Sequence, residues 1–530
     1  MVSGYHRGML TLTAALQQTI RLHAKRPALL DGDRRLTWAD YGREIARAAG
    51  MLAGLGLVKG DRVGILCRNS ALQGELIYGG FWSGVVPVPL NYRLSATELA
   101  HILADADPGA LALDPLFLNL LDDPQLSRWR HKSFILGAAP EARDRPTYEA
   151  LKETASPLPA VEAAENDDAL MLYTSGTTSG GKGVRISHKN LIANALQAMP
   201  AFAPAENDVL LHSAPMFHAA EFKSTGFMMR GAAHAYLPEF TPRAMLGAIE
   251  QCRCSVVSMV PTTILRMVEE PTLGDFDVSS LRLIAYGTSP ILPALLRRAT
   301  EAFPGVGMVQ CYGLTECSPY IALLDEDDHR RGLGGEEHIL SSAGKPLPDM
   351  DMRIVDDAGN DVPVGETGEI VVRGPQVTLG YRNRPDEQAA AFRDDGLRTG
   401  DIGRFDQDGF LYLLDRKRDM VISGGENIYT REVEDVLGAH PAVQEVSVIG
   451  LPHAEFGEAL FAVIVPAAGS TPSPDDLINH CRAHIGGYKI PRRMAFVGEL
   501  PKSAIGKILK QKLRETHADA FRQPPLQETA

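Results

Sequence analysis

Along most of the first three hundred residues, short runs of unbroken apolar residues alternate with stretches whose apolar positions recur every three or four residues. Tyr41, Ile45, Ala48 and Leu52 fall on one face of a helix that Thr37 is placed to cap, and residues 62–67 follow as a short buried strand. Val209–His212 reads as another strand, and Leu292, Leu295, Leu296, Ala299 and Phe303 share a further helical face. Strands interleaved with helices predict α/β layers on mainly parallel sheets.

From about Ala343 the texture changes. Residues 352–355, 368–372 and 410–414 are short apolar runs separated by Gly and Asp turns, which predicts a small antiparallel β subdomain. A charged cluster, Asp415-Arg-Lys-Arg-Asp419, comes next. The tail then alternates again, with helices predicted over 431–437 and 474–485 and strands over 443–449 and 460–465. Ser473 is the N-cap of the last helix, Pro474 its first residue, and Asp475 and Asp476 suit its dipole. A boundary at the charged cluster divides the chain into a large body, 1–417, and a small mobile α+β C-terminal domain, 418–530.

Composition adds exclusions. The chain has 530 residues, 45% of them hydrophobic and 22% charged, the balance of a globular protein with a large core. A net charge of −13 excludes a general electrostatic grip on nucleic acid. The six cysteines are scattered, and Cys252-Arg-Cys254 lacks the CxxC spacing of zinc or redox sites, so reduced thiols are expected. Gln17 and Gln18 interrupt the N-terminal apolar stretch, and glycines and prolines break up residues 76–92. Neither suits a signal peptide or a membrane span, and a cytoplasmic protein is expected.

The sharpest chemistry lies in Leu172-Tyr-Thr-Ser-Gly-Thr-Thr-Ser-Gly-Gly-Lys-Gly-Val184. Glycines let backbone N–H groups close on phosphate oxygens, Thr174, Ser175, Thr177 and Thr178 add donors, and Lys182 adds a mobile charge. A polar hairpin tip is the plain alternative. Residues 176–182 also fit G-x-x-x-x-G-K, but Gly183 stands where that phosphate loop needs Ser or Thr. Residues 184–186 read as a strand rather than a helix, which argues against a P-loop NTPase.

With this loop, Asn91-Tyr-Arg-Leu-Ser-Ala-Thr-Glu-Leu99, Pro215-Met-Phe-His218, Tyr312-Gly-Leu-Thr-Glu316, Thr399-Gly-Asp401, Asp415-Arg416, Ser423-Gly-Gly-Glu-Asn427 and Pro501-Lys-Ser-Ala-Ile-Gly-Lys507 stand in order. The chain thereby resembles the adenylate-forming superfamily of acyl-CoA synthetases, luciferases and peptide-synthetase adenylation domains. The resemblance implies ATP, Mg²⁺ and CoA, with 174–183, including Gly176, on the β- and γ-phosphates. It puts Tyr312 and Gly313 at the adenine, Thr315 at the α-phosphate, Glu316 on magnesium, Asp401 on the ribose and Arg416 beside it. Taken alone, Tyr312–Glu316 would be a turn entering a helix, Asp401 a surface turn residue, and Arg416 and Lys507 solvated cations.

The resemblance also places Lys507 over the reacting carboxylate, makes Arg418 the hinge between two arrangements, and lines the pantetheine path with Gly424, Gly425 and Glu426. His218 resembles the gate of the acyl pocket, with Phe222, Thr262, Thr263, Gly287, Thr288 and Ser289 as its walls. Glu221 either pairs with Lys223 outside the pocket or reaches the far end of the acid. Two departures remove no chemical group: Ser179-Gly-Gly181 replaces the usual Gly-x-Pro, and Thr430 replaces a usual proline. The expected activity is an acid–CoA ligase acting on a small carboxylic acid. Loading of a separate carrier protein, or nucleotide binding without turnover, are the alternatives. Only 23 residues follow Lys507, which disfavours a fused carrier domain.

Overall fold

The computed structural model describes residues 10–137, 145–174, 181–288, 291–417, 419–423, 426–453, 455–503 and 508–521, with residues 220, 221 and 427 described by backbone only. A nine-stranded sheet forms its spine, in the order Lys345–Pro346, Tyr320–Leu324, Gly307–Gly313, Leu283–Gly287, Val256–Met259, Val209–His212, Ala233–Tyr236, Pro27–Asp31, Arg34–Thr37. Its interior pairs, from Pro27–Asp31 across to Gly307–Gly313, are parallel, while Arg34–Thr37, Tyr320–Leu324 and Lys345–Pro346 pair antiparallel at the edges. A wholly parallel four-stranded sheet, Val86–Pro89, Arg62–Leu66, Ala110–Leu113 and Ser133–Ile135, stands apart from it.

The helices form for the reasons their sequences give. Thr37 and Asp40 make a reciprocal capping box at the head of Trp38–Gly54, and Tyr41, Ile45, Ala48 and Leu52 are buried on one face. Ile45 and Leu52 each contribute about 1.5–3 kcal/mol by leaving water, and the methyl of Ala48 about 0.8 kcal/mol. The same cap recurs at Ser187 before His188–Phe202 and at Ser473 before Pro474–His484.

A further, three-stranded sheet joins Asp168–Thr174, Lys182–Ser187 and Gly380–Tyr381, all antiparallel, and its edge strand Gly380–Tyr381 is the part the sequence pattern does not show. The strands on either side of the glycine- and hydroxyl-rich segment therefore pair with each other, and the next helix starts only at His188, the opposite of a strand–loop–helix phosphate loop. The antiparallel subdomain forms as expected from Asp351–Val355, Gly368–Arg373, Gly396–Phe405 and Leu411–Arg416, with Phe392–Arg393 at one edge. One boundary changes the chemistry. The strand expected over 410–414 extends to Arg416, because its partner Gly396–Phe405 is long enough to pair Asp401 with Arg416.

Past this strand the chain enters a separate sheet, Glu426–Ile428, Val421–Ser423, Gly457–Pro466 and Val443–His453, with Arg493–Phe496 beside Gly457–Pro466. Helices Thr430–Gly438 and Pro474–His484 cover it, burying Val433, Leu437, Val448, Leu460, Ile464 and Leu477 in a core of their own. The tail strands are longer than expected because their ladder runs on to a turn at Gly457, whose φ is 75°.

Candidate active site

Parallel strands bring their following loops to one edge, and ligands of α/β sheets bind there. His218 follows Val209–His212, Thr262 follows Val256–Met259, Thr288 follows Leu283–Gly287, and Thr315 and Glu316 follow Gly307–Gly313. Four separated motifs thus meet at the C-terminal ends of neighbouring strands. The packing there is tight. A Cβ on Gly287 would lie 2.3 Å from the Cys311 carbonyl oxygen, and one on Gly313 would lie 2.0 Å from that of Pro319.

Two polar chains run along this edge. In the first, the Lys182 Nζ lies 4.4 Å from the centre of the Tyr381 ring and donates to its hydroxyl at 3.3 Å. The Tyr381 hydroxyl donates in turn to Glu316 Oε1 at 2.7 Å. Glu316 is buried in a single 3₁₀ turn, Thr315–Cys317. Burial, then the Glu316 charge, pushes the Tyr381 phenol far above its ordinary range, so it stays a donor.

In the second chain Tyr312 donates its hydroxyl to Asp401 Oδ2 at 2.8 Å, and Arg416 Nε lies 2.9 Å from Asp401 Oδ1. Asp401 is therefore no surface turn residue but a buried strand residue. Arg416 is no solvated linker either: Asp401 holds its guanidinium firmly charged. Likewise Tyr312 to Glu316 ends a strand in a 3₁₀ turn rather than entering a longer helix.

Gly181 sits at φ 82° with the Thr174 carbonyl oxygen 2.7 Å from where a Cβ would stand, so the base of the loop requires glycine. Thr174 faces Lys182 across the hairpin. Asn69 steadies the His218 segment by donating to the carbonyls of His212 and Ala214 at 3.0 and 2.8 Å and accepting from Met216 N at 2.9 Å. His218 is half-buried, its ring 4.6 Å from that of Phe217. Phe222 is buried in the main core and borders a cavity of about 20 Å³ shared with His212, Ser224 and Tyr236.

Ser175, Gly176, Thr177, Thr178, Ser289, Arg418, Gly424, Gly425 and Lys507 lie outside the described residues, as does the side chain of Glu221. Glu426 is exposed at the start of its strand. Tyr381 and Asn69 are the residues sequence reasoning missed. The Gly380-Tyr381 pair, with a glycine at φ 105°, is the one local signal that marks the first.

Two family models cover the chain: that of the AMP-binding enzyme over residues 16–382, and that of the AMP-binding enzyme C-terminal domain over 432–507. Feruloyl-CoA synthase of an Amycolatopsis species is 35% identical over 496 residues, 93% of this chain and 96% of its own. Indoleacetate–CoA ligase of Aromatoleum aromaticum is 34% identical over 492 residues, 91% of this chain and 93% of its own. Among solved structures, ATP-bound MatB from Rhodopseudomonas palustris superposes with a TM-score of 0.87 at 29% identity, covering 97% of this chain and 100% of that one. Its apo form, over the same shares, gives 0.79.

Proposed function

The chain belongs to the AMP-binding enzyme family, and we propose that it works as an ATP-dependent acid–CoA ligase through the edge described above. The acid's carboxylate oxygen attacks the α-phosphorus of ATP, the bond to the pyrophosphate oxygen breaks, and an acyl-adenylate forms. The CoA sulfur then attacks the acyl carbon and AMP departs. The observation that supports the residue assignments best is the pairing of Lys182–Tyr381–Glu316 with Tyr312–Asp401–Arg416 on one edge. The first chain gathers a cation and an anion suited to a metal triphosphate. The second offers a fixed carboxylate suited to a sugar.

The donor set fits magnesium. Among the described residues no group of three or more His, Cys, Asp or Glu is arranged to hold a metal, and Mg²⁺ with a nucleotide needs only one or two carboxylates besides phosphates and water. With Glu316 Oε1 engaged by Tyr381, we assign Oε2 to the ion. Magnesium, when bound, offsets charge on the triphosphate. Lys182 leaves the Tyr381 ring for a phosphate oxygen, and Thr174 with the loop supplies further donors. Asp401 keeps both present partners and accepts ribose hydroxyls on its remaining lone pairs. Thr315 faces the α-phosphate beside Glu316.

We divide the chain at 417/418, where the strand ending at Arg416 gives way to the sheet starting at Val421, and assign the hinge to Arg418. Lys507 comes from the small domain to the reacting oxygens, and Gly424, Gly425 and Glu426 border the pantetheine. His218, Thr262, Gly287 and Thr288 surround the acid. We place the reaction in the cytoplasm, in keeping with six free thiols. Among the described residues no helix is long and apolar enough to cross a membrane.

The test is ATP–pyrophosphate exchange over aryl, long-chain and dicarboxylic acids, followed by CoA or a phosphopantetheinyl carrier protein. At least one acid is expected to drive exchange and then yield a CoA thioester; exchange without CoA turnover would move the acceptor to the carrier. Lys507→Ala is expected to lower exchange about 10³-fold or more while sparing thioester synthesis from supplied acyl-adenylate. Equal loss of both half-reactions refutes the role of that lysine.

A further inference from the structure

Thr430 is the first residue of the helix Thr430–Gly438, and the preceding Tyr429 provides no side-chain cap. Its N–H is thus one of the donors a helix leaves unpaired at its start. The structure fills that need from across the domain boundary. Asp415, on the last strand of the large body, accepts from Thr430 N at 2.6 Å and from Thr430 Oγ1 at 2.7 Å, both on Oδ2. Its other oxygen accepts from Arg416 N at 2.7 Å, the residue that pairs with Asp401. On the last helix, Lys510–Thr516, Lys510 donates to Thr430 Oγ1 and lies 2.9 Å from Glu434, while Arg514 reaches Asp419 at 2.8 Å.

We propose that Asp415, Thr430 and Lys510 form a clasp that positions the small domain against the strand holding Arg416, in the arrangement suited to adenylation. Thr430 is the centre of it, being fully buried and joined to the body on one side and to Lys510 on the other. A proline at 430, as the family resemblance leads one to expect, has neither the N–H nor the hydroxyl and starts a helix without needing a partner. The threonine therefore adds a bond across the hinge that proline cannot make. The arrangement carrying the clasp is nearer to the ATP-bound form of MatB than to its apo form. The two half-reactions come from the functional proposal above, on which this inference rests.

Thr430→Val removes the hydroxyl and keeps the shape; Thr430→Ser restores the hydroxyl. Pyrophosphate exchange is expected to fall about tenfold in Thr430→Val, the scale of the one hydroxyl bond that crosses the boundary, to Asp415; the bond from Lys510, lost with it, lies within the small domain. Thioester formation from supplied acyl-adenylate stays unchanged, and Thr430→Ser returns exchange to near wild type. A purely structural threonine would lower both half-reactions together. That result, no loss in either, or failure of serine to restore exchange overturns the clasp. A second readout needs no acid: with ATP alone, tryptic cleavage after Lys417 should be slow in wild type and Thr430→Ser and fast in Thr430→Val. Equal cleavage in all three overturns the clasp as well. If no acid drives exchange but ATP protection still follows the hydroxyl, the ligase reading falls and the clasp stands.

Discussion

The polar edge of the large body and the junction beside Asp415 use similar groups in opposite ways. At the edge, Lys182, Tyr381, Glu316, Tyr312, Asp401 and Arg416 all come from the body and are packed from several sides by its sheets. At the junction, Asp415 meets Thr430 across the 417/418 boundary and Thr430 in turn meets Lys510 within the small domain, and every contact named there is a hydrogen bond or ion pair. The edge is organised before a ligand arrives, so binding exchanges partners without building the site. If the small domain moves as proposed, contacts that hold it must instead break without exposing apolar surface, and a few hydrogen bonds of about 0.5–1.5 kcal/mol each meet that requirement.

Acid should separate the two regions, and with the largest effect. Burial holds His188 and His329, both in the body, down to about 4 from an ordinary 6.5. Each is neutral and hydrogen-bonded, His188 accepting from Leu12 N at 3.2 Å and His329 meeting the Tyr286 hydroxyl at 2.7 Å. The unfolded chain binds these protons more tightly than the folded one. Stability is therefore fully present above pH 6.5 and is lost as pH falls toward 4, by about 3 kcal/mol for each histidine. Asp415 titrates the other way. Burial raises its carboxyl above the ordinary value, so the folded form keeps its proton more tightly and acid does not loosen the junction through this group. Calorimetric melting of the full chain should show the body's transition falling steadily between pH 6.5 and 4.5. A flat melting temperature over that range would sink the assignment.

Glu316→Gln sharpens the contrast from the catalytic side. The amide keeps the shape and can still accept from Tyr381, but the charge that the proposal assigns to magnesium is gone. Pyrophosphate exchange should fall about a hundredfold, the scale of removing one fixed charge-stabilising group. Thioester formation from supplied acyl-adenylate, which involves no triphosphate, should change little. A parallel loss in both half-reactions would place Glu316 outside the metal site and leave the edge without its anion.

How much of this was legible in the sequence follows from range. Features set by neighbours in the chain could be read: the capping boxes at Thr37 and Ser473, the strand Val209–His212, and the hairpin that Gly183 and residues 184–186 substitute for a phosphate loop. Features set by distant pairing could not. Tyr381 reaches Lys182 only because Gly380–Tyr381, 199 residues further along the chain, adds an edge strand to the hairpin. Asp401 and Arg416 looked like turn and linker residues until their strands were paired. The family resemblance supplied their roles without supplying that reason. Phe222 shows the reverse: its apolar character is plain in the sequence, but its surroundings come from separate parts of the chain, which bury it in the main core beside the cavity that it shares with His212, Ser224 and Tyr236.

Tyr381→Phe is the finest test of the edge. The ring stays, and with it the face on which Lys182 rests at 4.4 Å. What is lost is the hydroxyl that donates to Glu316 Oε1 and accepts from Lys182. If the edge is organised in advance, Glu316 should turn more freely and hold magnesium less well. The concentration of Mg²⁺ giving half-maximal exchange should then rise about tenfold, the scale of one hydrogen bond to a charged group. The maximal rate at saturating Mg²⁺ should change far less, because the groups proposed to meet the phosphates are all still there. Burial of an unpaired carboxylate oxygen would also lower the melting temperature somewhat, so stability alone does not decide the matter; the split between metal dependence and maximal rate does. An unchanged Mg²⁺ requirement would mean that Glu316 is held by its own 3₁₀ turn, and that the edge needs no hydroxyl to keep its shape.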